Sequence, residues 1–289
     1  GDLNGQLWRF DLTGGSASPT LLANLTDASG AAQPVTSAPL IEIDPATGKR
    51  FVLVGTGRLL GKADVASTQV QDFYVIVDGT NSGFSSASAP LTRGELTPQT
   101  DLTAAITFSK GWYYDLGSPN TNYVPPTNPD GTANRTNLAT QGSGYASSGT
   151  GERVVMQGVA YNGVVAFATQ LTTPDQCVPE VGNLYAINFG TGHTAFTDNS
   201  IDIPQSSVVA SMAIVSTSNS GGGVSGGGGG VNSPTPPCLP GQQCNSNPCD
   251  LLSGDQNGGE SIKSLNCSGG LGGSAVKLLN WRNVPVNGN

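Results

Sequence analysis

At 289 residues, with 41 glycines, 19 prolines and 11% charged residues against a usual ~25%, the chain can bury a sizeable core but is poor material for helices. Its net charge is −8 and its 12 Lys and Arg are spread thinly, so no basic stripe exists to neutralise a nucleic acid backbone or grip an anionic membrane. No apolar run approaches the ~18 residues that would span a bilayer, and short strands joined by many turns are expected instead.

The run Gly5–Leu12 alternates large apolar and polar residues and breaks at Thr13-Gly-Gly15, which reads as a strand and a turn. Pro39–Asp44 and Phe51–Gly55 form a second strand pair across Asp44-Pro-Ala-Thr-Gly48. Asp72–Asp78 and Gly111–Leu116 are aromatic strands, and Leu96–Thr107 has room for a short helix. Residues 118–150 are dominated by Pro, Asn, Thr, Ser and Gly and read as a long inserted loop. Regularity returns at Glu152–Gln157. Asn162-Gly163 then lies between two apolar runs, a strong hairpin signal. Gly182–Asn188 and Ser207–Val215 complete the strands of a unit spanning 1–215.

Residues 216–273 read as a Gly-rich, Cys-containing excursion, followed by a closing strand within 274–289. The five cysteines are Cys177, Cys238, Cys244, Cys249 and Cys267, four of them in a stretch unable to build a core. Their spacing lacks the paired C-x2-C knuckles of structural zinc sites, and disulfides in an oxidising compartment are expected. Five is odd, so one thiol is free or pairs elsewhere; Cys177 is the natural choice, and the connectivity stays open.

Gly5-Gln-Leu-Trp-Arg-Phe-Asp11 and Gly182-Asn-Leu-Tyr-Ala-Ile-Asn188 echo one another, and Asp72–Gly79 and Lys110–Gly117 are looser relatives. An aromatic strand ending in Asp and a glycine turn, repeated among short strands, is the pattern of β-propeller blades. A β-sandwich with coincidentally similar strands is the plainer alternative.

Five segments carry a further likeness, in order: Gly1–Leu12; Val54-Gly-Thr-Gly-Arg58 with Asp64 and Ser67–Tyr74; Lys110–Leu116 with Gly151-Glu-Arg-Val-Val155; Cys177–Gly192; and Asn280-Trp-Arg282. Together they resemble the C-terminal region of the PilY family of type IV pilus proteins, over roughly residues 1–215 and 275–285. The resemblance implies an all-β fold, the C-terminal part of a modified β-propeller with long irregular loop insertions. It also implies an exported protein, reaching the cell surface and pilus tip through the periplasm and outer membrane. There it would act in pilus assembly, retraction control, twitching motility and adhesion, with minor pilins and host or abiotic surfaces as partners. The calcium loop that members often carry is expected upstream of Gly1, since the chain enters in mid-domain.

Catalysis finds little support in the residues. Asp11, Asp44, Asp78 and Asp115 end strands, where they favour turns. His193 stands alone in a turn, and Ser143 lies in a loop without a nucleophile elbow. A calcium site has thin candidates in Asn128, Asp130, Thr132 and Asn134, and again in Asp255, Asn257 and Glu260; both sets lack a full complement of acidic ligands. The alternatives to a non-enzymatic pilus protein are a fragment of a quinoprotein-like propeller dehydrogenase and a generic secreted β-protein.

Overall fold

A computed structural model describes residues 1–12, 18–44, 47–85, 90–117, 151–172, 180–205, 207–216 and 248–267. The architecture is all-β. Among the described residues, fifteen strands form four sheets, and helix is confined to one turn at Lys62–Val65 and a 3-10 turn at Arg93–Glu95. Sheet I contains β1 (Gln6–Asp11), β2 (Ser18–Asn24) and β6 (Leu91–Thr92). Sheet II contains β3 (Leu40–Ile43), β4 (Lys49–Gly55), β5 (Asp72–Thr80), β8 (Gly111–Asp115) and β7 (Thr97–Pro98), in that spatial order. Sheet III is a four-stranded meander of β9 (Val159–Tyr161), β10 (Val164–Ala168), β11 (Gly182–Asn188) and β12 (Ile203–Gln205). Sheet IV contains β13 (Val209–Ser216), β14 (Pro248–Asp255) and β15 (Glu260–Asn266).

The sheets stack face to face in sequence order, and the two-residue period of a strand builds each interface. In β4 and β5, Val52, Val54, Tyr74 and Ile76 meet Leu7 and Leu22 of sheet I. Their neighbours Phe51, Leu53, Phe73 and Val75 turn the other way, with Trp112 and Tyr114 of β8, against Val165, Phe167, Tyr185 and Ile187 of sheet III. The alternate residues of sheet III, Val164, Ala166, Leu184 and Ala186, meet Val209, Ile214, Leu251 and Leu265 of sheet IV. Strands buried on both faces therefore read as continuous apolar runs, as at Phe51–Val54 and Val164–Ala168. Such stacked sheets of short strands fit propeller blades, with no closed sheet among the described residues.

Several expectations hold in detail. Asn162 and Gly163 take positive φ of 47° and 86° and turn β9 into β10. The two echoing segments are β1 and β11, with Leu7 and Leu184 buried at matching positions. The tyrosine of the echo, Tyr185, is fully buried, whereas Trp8 is 39% exposed, because β11 is covered on both faces and β1 on one.

Others need correction. Glu152–Gln157 is no strand; it contributes one isolated bridge, Arg153 to Gln170, and its side chains serve the junction described below. The helical turn expected after Leu96 lies before it, at Arg93–Glu95. The excursion at 216–273 holds a regular hairpin, β14–β15, closed at its open end by a Cys249–Cys267 disulfide with Cα atoms 6.0 Å apart. Asp255 shapes the turn at the other end, accepting the N–H groups of Asn257 (2.8 Å) and Gly259 (2.7 Å), so this acidic group is occupied by turn chemistry. The inserted loop 118–150, the closing strand 274–289, the calcium candidates Asn128, Asp130, Thr132 and Asn134, and Cys177, Cys238 and Cys244 lie outside the described residues.

Candidate functional site

Polar side chains buried between the sheets converge at the end of the stack where β4 ends and β5 begins. Gly55, Thr56 and Gly57 meet Gly151–Val154 from across the sequence, with the Val154 N–H donating to the Thr56 carbonyl at 2.9 Å. A Cβ on Gly55 would lie 2.4 Å from the Val154 Cβ, and one on Gly57 would lie 2.5 Å from the Arg153 Cβ. Gly57 also holds φ of +144°, a conformation L side chains rarely adopt. The spaced glycines of Val54-Gly-Thr-Gly-Arg58 are thus the imprint of the Gly-Glu-Arg-Val segment pressed against them.

Arg153 is the hub of that contact. Its guanidinium donates to the carbonyls of Gly151 (2.7 Å), Arg58 (2.9 Å), Asp64 (2.5 Å) and Ser67 (3.0 Å), gathering the loop between β4 and β5 around one cation. The planar five-donor fork suits such multiple capture, and lysine could not reproduce it. Asp64 secures the same loop from inside, accepting Leu60 N–H (2.9 Å), Gly61 N–H (3.0 Å) and Arg58 Nε (2.7 Å). These partners, the Leu60 N–H first and then Arg58, hold its carboxyl below the usual range.

Beside Arg153, the carboxyl of Glu152 is buried between sheets II and III. One of its oxygens accepts Thr169 Oγ1 (2.5 Å), Asn183 Nδ2 (2.9 Å) and the Tyr185 hydroxyl (3.1 Å). Burial pushes its pKa up, against the pull of those donors.

A second network ties sheet I to sheet II. Arg93 lies between Asp72 and Asp115, bonds both carboxylates, and stacks on the Tyr113 ring with its guanidinium carbon 3.8 Å from the centroid. One guanidinium facing two carboxylates leaves one negative charge unmatched. The Asp72 side chain is 0% exposed and that of Asp115 is 39% exposed, so Asp72 is the group that takes a proton. Burial, with the Asp115 carboxyl adding to it, raises the Asp72 pKa to about 8. The surroundings agree: the Tyr74 hydroxyl faces Asp72 Oδ2 (2.7 Å), Gln33 Oε1 (2.6 Å) and the Thr26 carbonyl (3.0 Å), three acceptors for one proton. A protonated Asp72 can donate to Tyr74, which then donates onward.

The hydrogen bonds and ion pairs of both networks run to the protein's own groups, while Asp72 Oδ1 and Glu152 Oε2 are buried without a hydrogen-bond partner. Their ion pairs and hydrogen bonds fasten loops and neighbouring sheets, and none of their members is a residue singled out as a candidate ligand. Asp11, Asp44 and Asp115 sit at or beside strand ends, whereas Asp78 lies inside β5, buried and paired with Arg9; Asp115 pairs with Arg93. His193 lies in the turn after β11, its carbonyl accepting the Asn188 N–H at 2.8 Å. Among the described residues no three His, Cys, Asp or Glu side chains gather as a metal site, and no helix is long and apolar enough to cross a membrane. Sequence reasoning missed Gln33, Arg93 and the buried role of Glu152. The glycine spacing at Gly55 and Gly57 was the one signal that something approaches there.

Comparison with known proteins agrees with this architecture. A profile of the PilY1 beta-propeller domain matches residues 16–111. Type IV pilus biogenesis factor PilY1 of Pseudomonas aeruginosa is 30% identical over 245 residues, covering 73% of this chain and 20% of that protein. A PilY1 homolog of Xylella fastidiosa is 33% identical over 126 residues, 41% of this chain and 10% of the relative. The chain therefore spans about a fifth or less of the length of these relatives. The crystal structure of the Pseudomonas aeruginosa PilY1 C-terminal domain shares the fold, with a TM-score of 0.57 at 19% identity over 92% of this chain and 56% of that one. Profile, relatives and fold agree on one family, and the chain belongs to the PilY1 family.

Proposed function

We propose that this chain is a propeller portion of a non-enzymatic pilus-tip protein that supports type IV pilus assembly, restrains retraction and contributes to surface adhesion. One observation carries the reading: the match to a protein named type IV pilus biogenesis factor extends over 73% of the chain rather than one short motif. The site supports it, because a rigid stack whose buried charges clamp its own loops suits a scaffold that docks other proteins. Minor pilins are the partners that fit this role, and the cell surface reached through the periplasm is its place.

The test is a chromosomal deletion of residues 1–267 from the longer protein, leaving its other parts in frame. Sheared surface pili, twitching zones and adherent cells are then counted. The expected result is a loss of surface pili of tenfold or more, restored when retraction is also disabled. Normal piliation with a stably expressed deletion product would overturn the reading.

A further inference from the structure

We propose that the loop between β4 and β5 is a pre-set docking element, offering Leu60 with Arg58 and Lys62 beside it to a partner protein whose surface carries an apolar pocket edged by carboxylates. It names the contact through which the scaffold described above holds a partner, and rests on that reading. The loop is anchored from three other segments of the chain. Arg153 collects its carbonyls at Arg58, Asp64 and Ser67. The Gly57 N–H donates to the Pro34 carbonyl at 2.7 Å, and the Gly57 carbonyl accepts Thr36 Oγ1 at 2.8 Å. Thr172 Oγ1 donates to the Val65 carbonyl at 3.0 Å. From inside the loop, Asp64 accepts the N–H groups of Leu60 and Gly61.

All this holding fixes a tip that stands open. Leu60 is 70% exposed, a Cβ on Gly61 would meet no atom within 4 Å, and Arg58, Lys62 and Ala63 are exposed too. Phe10, Ile41 and Ile262 are also exposed, but each lies on a strand whose pleat sends alternate residues outward. Leu60 has no such reason to face water. A loop ordered in advance loses little conformational entropy on docking, and an apolar side chain at its tip gains by burial. Charge selects the partner. Around the loop stand three cations, Arg58, Lys62 and Arg153, against two carboxylates, Asp64 and Glu180, which both act on Arg153. Lys62 is the cation left without an ion pair among the described residues, on a chain whose net charge is −8. An acidic partner is repelled by the chain as a whole and attracted at this tip, which fixes where it docks.

Site-specific photocrosslinking of the full-length protein in its own cells tests this. Photoreactive p-benzoylphenylalanine takes the place of Leu60 or, as a control of similar exposure (66%), of Ile262, and adducts are read by immunoblot and peptide mass spectrometry. One discrete adduct is expected from position 60 and none from 262, with Asp or Glu beside apolar residues in the contacted peptide. Its yield should fall at least fivefold with Lys62→Glu and hold with Lys62→Arg. No adduct from 60, the same adduct from 262, a contacted peptide without acidic residues, or a yield indifferent to Lys62→Glu would each overturn the proposal. If that happens while deletion of residues 1–267 abolishes surface pili, the docking loop falls and the pilus reading stands. Normal piliation in that deletion, with the charge-dependent adduct present in the intact protein, would sink the pilus reading and leave the loop.

Discussion

The two central strands of sheet III, β10 and β11, have two unlike faces. Toward sheet II, β10 and β11 present Val165, Phe167, Tyr185 and Ile187; toward sheet IV the same strands present Val164, Ala166, Ala168, Leu184 and Ala186. On the first face Phe167 stacks between Phe73 and Tyr185, at centroid distances of 3.9 and 4.9 Å, and Trp112 donates its indole N–H to the Phe189 carbonyl at 3.0 Å. On the second face small side chains meet a hairpin held by a disulfide. Large aromatic area sustains one interface, and small side chains against a disulfide-closed sheet form the other.

The largest effect should come from the aromatic side. Trp112→Ala removes a fully buried indole and orphans the Phe189 carbonyl, and should lower global stability by about 3–5 kcal/mol in urea denaturation. Leu251→Ala, on the sheet IV side, should cost about 2–5 kcal/mol. That loss should show as local exchange at 248–266 before any global transition moves. If both substitutions shifted one common transition equally, the two interfaces would not differ as described.

Ala186→Leu tests the small-residue face from the opposite direction. Overpacking beneath sheet IV should destabilise by about 1–3 kcal/mol, and thermal unfolding followed by circular dichroism reads it. A stabilised variant would mean that the alanines leave space rather than fill it.

The last comparison concerns pH. Asp72 holds its proton to about pH 8 in the folded chain, while the unfolded carboxyl gives it up near its ordinary 3.8. Folding therefore retains a proton that the unfolded chain loses, so this contribution is complete below about pH 4 and fades as pH rises to about 8. Glu152, raised by burial, acts in the same direction. Asp72→Asn should flatten this part of the pH profile in urea titrations at pH 5, 6.5 and 8; an unaltered slope would show that Asp72 is already ionised.

Much of the fold was legible because the stacked strands carry their burial in their period. Phe51–Val54, Phe73–Ile76 and Val164–Ala168 are apolar at consecutive positions since both faces are covered. The β14–β15 hairpin was not legible. Its strands, Pro-Cys-Asp-Leu-Leu-Ser-Gly-Asp and Glu-Ser-Ile-Lys-Ser-Leu-Asn, carry few apolar residues, and half-cystines occupy core positions that leucine or valine would otherwise mark. The buried networks were legible only in fragments. Gln33, Asp72, Arg93 and Asp115 come from four separate segments, and nothing local in the chain says that they meet. The glycine pair at 55 and 57 announced a close approach without naming what approaches.

The short strands β6 and β7 have a mechanical consequence. Leu91–Thr92 runs parallel to β2 in sheet I, and six residues later Thr97–Pro98 runs parallel to β8 in sheet II, with Arg93 pinned between them to Asp72 and Asp115. One strap is therefore sewn into two neighbouring sheets. Tension that separates sheet I from sheet II must shear both backbone pairings and extract a paired guanidinium together, so a pull applied at the Gly1 end reaches sheet II before sheet I can peel away alone.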